Sequence, residues 1–247
     1  MLANDPVTQA RLDLTAALRC AARHGLNEGV CNHFSMVVPG RDELFLVNPM
    51  GLHWSEITPD DLVMADFDGR VVEGKHPVEN SAFFIHGRIH QGNRCAAVVL
   101  HTHMPYATAL TSIRDAHIEM CTQNAFRYWN RIAYDEHYSG VAQSAAEGDR
   151  MCQALGTKDI LLLRNHGVIV SGPTVARAYD DLYYLERTAM VQVLAMQSGR
   201  PLHNIDEALA EHTYRQIAAD TELTELHFES LKRLLDRDEP GWRRSSA

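Results

Sequence analysis

At 247 residues, 45% of them hydrophobic and 22% charged, the chain is long enough to bury a sizeable core and has an ordinary globular composition. A formal net charge of −9, with the basic residues scattered rather than striped, lacks the electrostatic footprint of a nucleic-acid or anionic-membrane binder, which leaves small molecules as partners. Cys20, Cys31, Cys95, Cys121 and Cys152 include no Cys-x-x-Cys pair and argue against a disulfide framework or a thiolate metal site; with no membrane-length apolar run and no leader-like N-terminus, a cytoplasmic location is expected.

Apolar residues at mostly helical spacing predict an opening helix over 7–24, stopped at His24-Gly25. Two short β runs, Phe34 to Val38 and Leu44 to Val47, flank Pro39-Gly40 and predict a hairpin; Leu62 to Phe67, Asp68-Gly69 and Val71-Val72 predict another. Asn80 and Ser81 are placed as helix caps before an apolar segment running to about Gln91. A strand from Cys95 to Leu100 follows. Beyond it, a helix over 145–155, strands Ile160 to Leu163 and Val168 to Val170, and a long helix from Pro173 to about Ser198 are expected, Pro173 taking the first helical position. Helices over 204–219 and 222–236 close the chain, and the polar tail from Trp242 to Ala247 is expected to fray. This order predicts a single α/β domain over 1–247, with a central mixed or antiparallel sheet covered by helices.

His101 and His103 follow one apolar strand, and His166 follows another. Residues i and i+2 of a strand share a face, so the pair can offer two imidazoles to one ion, with His166 as the third ligand. Three neutral imidazoles with an open fourth position describe a catalytic zinc-type site. With 14 histidines a chance His-x-His is easily met, and the position at strand ends beside Gly167 is what sets this pair apart.

Four segments carry a resemblance to a known family: Glu28-Gly-Val-Cys-Asn-His-Phe-Ser35, Asn48-Pro-Met-Gly-Leu-His-Trp-Ser-Glu-Ile-Thr58, His101-Thr-His103 and Arg164-Asn-His-Gly167. In this order they resemble the class II aldolase and adducin head domain group, over most of residues 8 to 200. The resemblance implies a three-layer α/β/α sandwich, commonly a homotetramer, and a divalent ion on His101, His103 and His166, zinc first with manganese, iron or cobalt as alternatives. Family members include aldolases, an epimerase, a dehydratase, decarboxylases and non-catalytic adducins.

Departures from the family pattern narrow the chemistry. The position where the aldolases carry a general base is Ala82 here, and Glu79 is the remaining acidic candidate, either a solvated carboxylate where the helix starts or a catalytic group. Of the small hydroxylated residues that hold phosphate in the aldolases, the matching loops keep one, Ser81; they read Asn32-His33, Met50-Gly51 and Asn80-Ser81. An unphosphorylated substrate is therefore expected, with His33, Asn32, Gly51, Asn80 and Ser81 as candidate binding residues; His33 could equally pack or cap. Decarboxylation needs no base to open the bond, so a metal-dependent carbon-carbon lyase acting on a small oxo- or hydroxy-acid is expected, decarboxylase ahead of aldolase. An adducin-like binding module is the alternative. The aromatic cluster Phe126, Tyr128, Trp129, Tyr134 and Tyr138 reads as packing or as a pocket wall offering a tyrosine proton donor.

Overall fold

Alternation along the strands decides which helices cover which side of the sheet. The computed structural model describes residues 5–93 and 96–244. In chain order these form α1 (Pro6–Arg23), β1 (His33–Val38), β2 (Arg41–Val47), β3 (Val63–Asp66), β4 (Val71–Glu73), α2 (Asn80–Ala82), a π-helical turn (Phe83–Gly87), α3 (Arg88–Gly92), β5 (Val98–Thr102) and α4 (Pro105–Thr111). They continue with β6 (Ile132–Asp135), α5 (Ala145–Leu155), β7 (Ile160–Leu163), β8 (Gly167–Gly172), α6 (Val175–Met196), α7 (Glu207–Ala219) and α8 (Glu222–Asp238).

The eight strands make one sheet in the order β4-β3-β2-β1-β5-β8-β7-β6. Its described pairings are antiparallel except β6 with β7, so the sheet is mixed, as expected. Phe34, Leu46, Leu100, Leu162 and Val168 point to one side, where they pack with residues of α1, α4, α6 and α8. Val99, Leu161 and Ile169 point to the other, against Ile85, Ile89, Met151 and Leu155. Phe45, Val47, Val63 and Ala65 extend that second face against Val78 and Ala82. Each of these large side chains contributes about 2 kcal/mol by leaving water, which is why the period-2 pattern fixes both layers. The outcome is the α/β architecture with helices on both faces.

Several local expectations are corrected. Asn80 and Ser81 do not cap: the cap position is Glu79, without a side-chain cap bond, and the Ser81 hydroxyl is engaged elsewhere. Pro173 lies before the cap Thr174, whose side chain accepts from the Arg177 N–H, so α6 starts at Val175. Trp242 does not fray, since its ring is buried and its indole N–H donates to Asp236. Cys95, where β5 was expected to begin, and the tail after Arg244 lie outside the described residues. The short elements α4 and β6 were not anticipated. Among the described residues no helix is long and apolar enough to cross a membrane.

Candidate metal centre

Three neighbouring strands converge on the histidines. His101 lies in β5, opposite His33 of β1 and Ile169 of β8, and His103 follows two residues later, just past the end of the strand. The β7–β8 hairpin closes from Leu163 to Gly167, with Asn165 at φ 55°, and thereby swings His166 over the end of β5. Gly167 is what permits the approach: a Cβ there would lie 2.4 Å from the Thr102 carbonyl oxygen and 2.8 Å from His103 Cδ2. One ring nitrogen from each of the three histidines falls within 4.8 Å of the others, a grouping that could hold a single ion.

Two of the three tautomers can be derived. His101 Nδ1 lies 2.9 Å from the Val168 carbonyl, which only accepts, so Nδ1 carries the proton and Nε2 keeps its lone pair. His103 Nδ1 donates to the Glu28 carboxylate in the same way. Among the described residues its buried Nε2 has no hydrogen-bond partner, an arrangement that costs stability unless something occupies that lone pair. Burial pushes His101 well below the ordinary histidine range, with the charges of His166 and His33 adding to it. Burial, and then repulsion from His103, takes His166 down to about 4. Neutral imidazoles, each with an unprotonated ring nitrogen turned to the cluster, are the form that binds a divalent ion, and the donor set fits one.

The histidines line a cavity of about 280 Å³ together with Asn32, His33, Glu79, Ser81 and Tyr138. Ala82, at the aldolase-base position, faces away from it into the apolar cluster with Phe45 and Val47. Glu79 reaches the cavity instead, its Oε1 accepting from the Ser81 hydroxyl at 2.9 Å. Of the proposed binding residues, Asn32 uses its side-chain oxygen on the His103 N–H at 3.3 Å. His33 is buried, held down to about 3 by desolvation, and has both ring nitrogens engaged, with His86 and with Ser81. His33 therefore has no ring nitrogen left over for a substrate carboxylate, whereas the Asn32 bond occupies its amide oxygen and not its amide nitrogen. Asn80 and Met50 line an adjoining hollow with Glu79 and Ser81, and Gly51 lines neither.

The aromatic cluster divides. Tyr128 is buried and donates to the Asp181 carbonyl, Tyr134 accepts from the Ile118 N–H, and Phe126 is core, all packing roles. Tyr138, half exposed, is the tyrosine at the cavity. The reading of the sequence also missed Glu28 behind His103, although Glu28 opens the first family segment; the two lie 75 positions apart.

Residues 12–193 match the family described as Class II Aldolase and Adducin N-terminal domain. The chain belongs to that family. A crystal structure of an aldolase II superfamily protein from Pseudomonas syringae superposes with a TM-score of 0.91 at 30% identity, covering 98% of each chain. The L-fuculose 1-phosphate aldolase from Glaciozyma antarctica PI12 follows at 0.84 and 26% identity, covering 96% of this chain and 93% of that one. Among curated relatives, Decarboxylase NovR of Streptomyces niveus is 29% identical over 205 residues, 82% of this chain and 75% of NovR.

Proposed function

We propose that the protein is a divalent-metal-dependent carbon-carbon lyase acting on a small unphosphorylated oxo- or hydroxy-acid, with decarboxylation favoured over aldol cleavage. The observation that carries the proposal is the buried, unpartnered Nε2 of His103 facing the ring nitrogens of His101 and His166. An ion held there would supply an electron sink for a carbanion beside a chelated oxo group. The remaining chemistry falls to the chain. Glu28 and the Val168 carbonyl fix the His103 and His101 tautomers, Glu79 and Ser81 place a carboxylate and a hydroxyl on one wall, and Tyr138 stands on another.

Ala82 supports decarboxylation over aldol cleavage, because loss of carbon dioxide requires no base to start it, whereas a retro-aldol step must deprotonate a hydroxyl. The similarity to NovR points the same way. The similarity to a sugar-phosphate aldolase is met by Met50, which offers no donor to a phosphate. Zinc is the first expectation for the ion. A homotetramer, a single domain over 1–247 and a cytoplasmic location belong to the same proposal, the oligomer being checked by sedimentation. A non-catalytic adducin-like role is the second reading, favoured by Ala82 and by the adducins the family includes.

The test is a screen of unphosphorylated oxo- and hydroxy-acids for carbon dioxide or aldehyde release, with His101→Ala as control. Release by the wild type that His101→Ala lacks supports the lyase. Equal release by both removes the metal role, and no release from any acid, with metal bound, favours the binding module.

A further inference from the structure

The space around the histidines does not end at their cavity. Glu79, Ser81, Val141 and Ala142 line both that cavity and a second hollow of about 550 Å³, which Met50, Val78 and Phe84 help to enclose. The two spaces adjoin along these four residues. The histidine cavity alone, at about 280 Å³, lies at the lower end of small-molecule sites, and the hollow carries the pair well into their range. Packing makes the hollow a fixed feature of the fold. A Cβ on Gly148 would overlap the Phe84 carbonyl oxygen, so α5 is seated directly on the π-helical turn that carries Phe84. Ala142 is buried in the apolar cluster of Ile85 and Met151, and Ser144 caps α5 by accepting from the Glu147 N–H. The stretch bearing Val141 is thereby held beside the turn bearing Phe84.

The lining of the hollow decides what it takes. Val141 is 70% exposed and Met50 55%, and among the described residues no other large apolar side chain is as exposed as Val141. A single exposed valine means little. Two exposed apolar side chains on one hollow, joined there by the buried Val78 and the half-buried Phe84, form a surface that stays wet until a ligand covers it. Among the described residues no Lys or Arg lines either space, and Glu79 is the one ionisable side chain of the hollow. An acidic side chain does not attract an anion. Asn80 and Gln143 add groups that are polar but uncharged. An acid entering this site therefore has one way to lie. Its carboxylate and its oxo or hydroxyl oxygen face the three histidines, where a divalent ion would attract them, and its uncharged end enters the hollow.

We infer that the substrate is an oxo- or hydroxy-acid bearing a branched or aromatic apolar substituent, and that Val141, Met50 and Phe84 select that substituent in the hollow. The inference rests on the lyase reading for the head of the molecule and on the hollow for its tail. Met50 then has a positive role, since its thioether chain adapts to apolar shapes where a hydroxyl would hold phosphate. Each carbon added to the substituent is worth about fourfold in affinity when fully buried. Against a surface that covers about half of it, the three carbons that separate an isobutyl from a methyl group give about tenfold. A charged substituent gains nothing there and meets Glu79.

The test titrates full-length, zinc-loaded protein with pyruvate, 4-methyl-2-oxopentanoate and 2-oxoglutarate in calorimetry, beside Val141→Ser, Met50→Ser and His101→Ala. Val141 and Met50 are exposed, so their substitution leaves folding intact. The branched acid is expected to bind about tenfold tighter than pyruvate, and 2-oxoglutarate no tighter than pyruvate. Each serine variant is expected to cut the advantage of the branched acid to about threefold or less. Nuclear Overhauser contacts from its isobutyl methyl groups to those of Val141 are expected in the wild type. A branched acid that binds no better than pyruvate, an advantage that survives both serine substitutions, or 2-oxoglutarate as the tightest of the three overturns the inference. So does a lowered sedimentation coefficient of Val141→Ser, which would place a second copy of the chain on the valine. If His101→Ala binds the acids as well as the wild type does, the metal reading fails, and the methyl contacts alone then decide for or against the hollow. No binding of any of the acids to the wild type overturns both.

Discussion

Substituting Gly167 tests how the third histidine is brought to the site. A Cβ at this position would sit 2.4 Å from the Thr102 carbonyl oxygen and 3.3 Å from His103 Cα. Both obstacles are backbone, so no rotamer change relieves them, and β8 must move off β5 by the better part of an ångström. Overpacking of this kind costs about 3 kcal/mol when side chains cannot yield. For a chain of this length that corresponds to a Tm lowered by about 9 °C. Because the shift separates His166 from His103, zinc affinity should also fall, by about 10- to 100-fold, as when a metal site loses its support. Gly172 is the control, on the same strand: a Cβ there would meet Ala178 no closer than 3.4 Å, an ordinary contact. Thermal unfolding of metal-free protein and zinc titration of both variants decide the matter. Gly167→Ala matching Gly172→Ala in Tm and zinc affinity would refute the argument that this close approach builds the site.

Glu28→Gln should weaken zinc binding by about 10-fold or more while leaving the metal-free Tm nearly unchanged, because the carboxylate is exposed and acts through His103; competition with a chromophoric chelator measures it. His90 is held down to about 4 by burial and binds its proton more readily when unfolded, so metal-free protein should lose stability as pH falls from about 6.5 toward 4. That contribution is of order 3 kcal/mol, and urea midpoints of His90→Gln should show a shallower slope over the same window. Asp181 is fully buried between Arg131 and Arg177, so Asp181→Asn should cost about 3 kcal/mol in urea unfolding by leaving buried charge uncompensated. Finally, sugar phosphates should bind no better than their unphosphorylated counterparts in calorimetry; strong preference for the ester would show that Met50 does not mark the substrate class.

What could be read from the sequence was what depends on neighbours along the chain. The amphipathic pattern of α1 and α6, the hairpins at Pro39-Gly40 and Asp68-Gly69, and the shared face of His101 and His103 are local consequences of periods 3.6 and 2. His166 was legible because a strand end and a glycine framed it. The losses lie where meaning is set by distant partners. Ser81 looks like a cap until His33, 48 positions away, claims its hydroxyl. His86 and His90 look like two more of many histidines until β1 lays Ser35 between them. Whether Ala82 faces the cavity or the core depends on how the π turn rotates the helix, and no local propensity reports that.

The central claim is a bound divalent ion on three neutral histidines. Elemental analysis of protein purified without chelators, beside His103→Ala, tests it most directly. The account predicts about one equivalent of transition metal per chain in the wild type and near none in the variant. Less than about one tenth of an equivalent in the wild type, with none taken up on adding zinc, would contradict it.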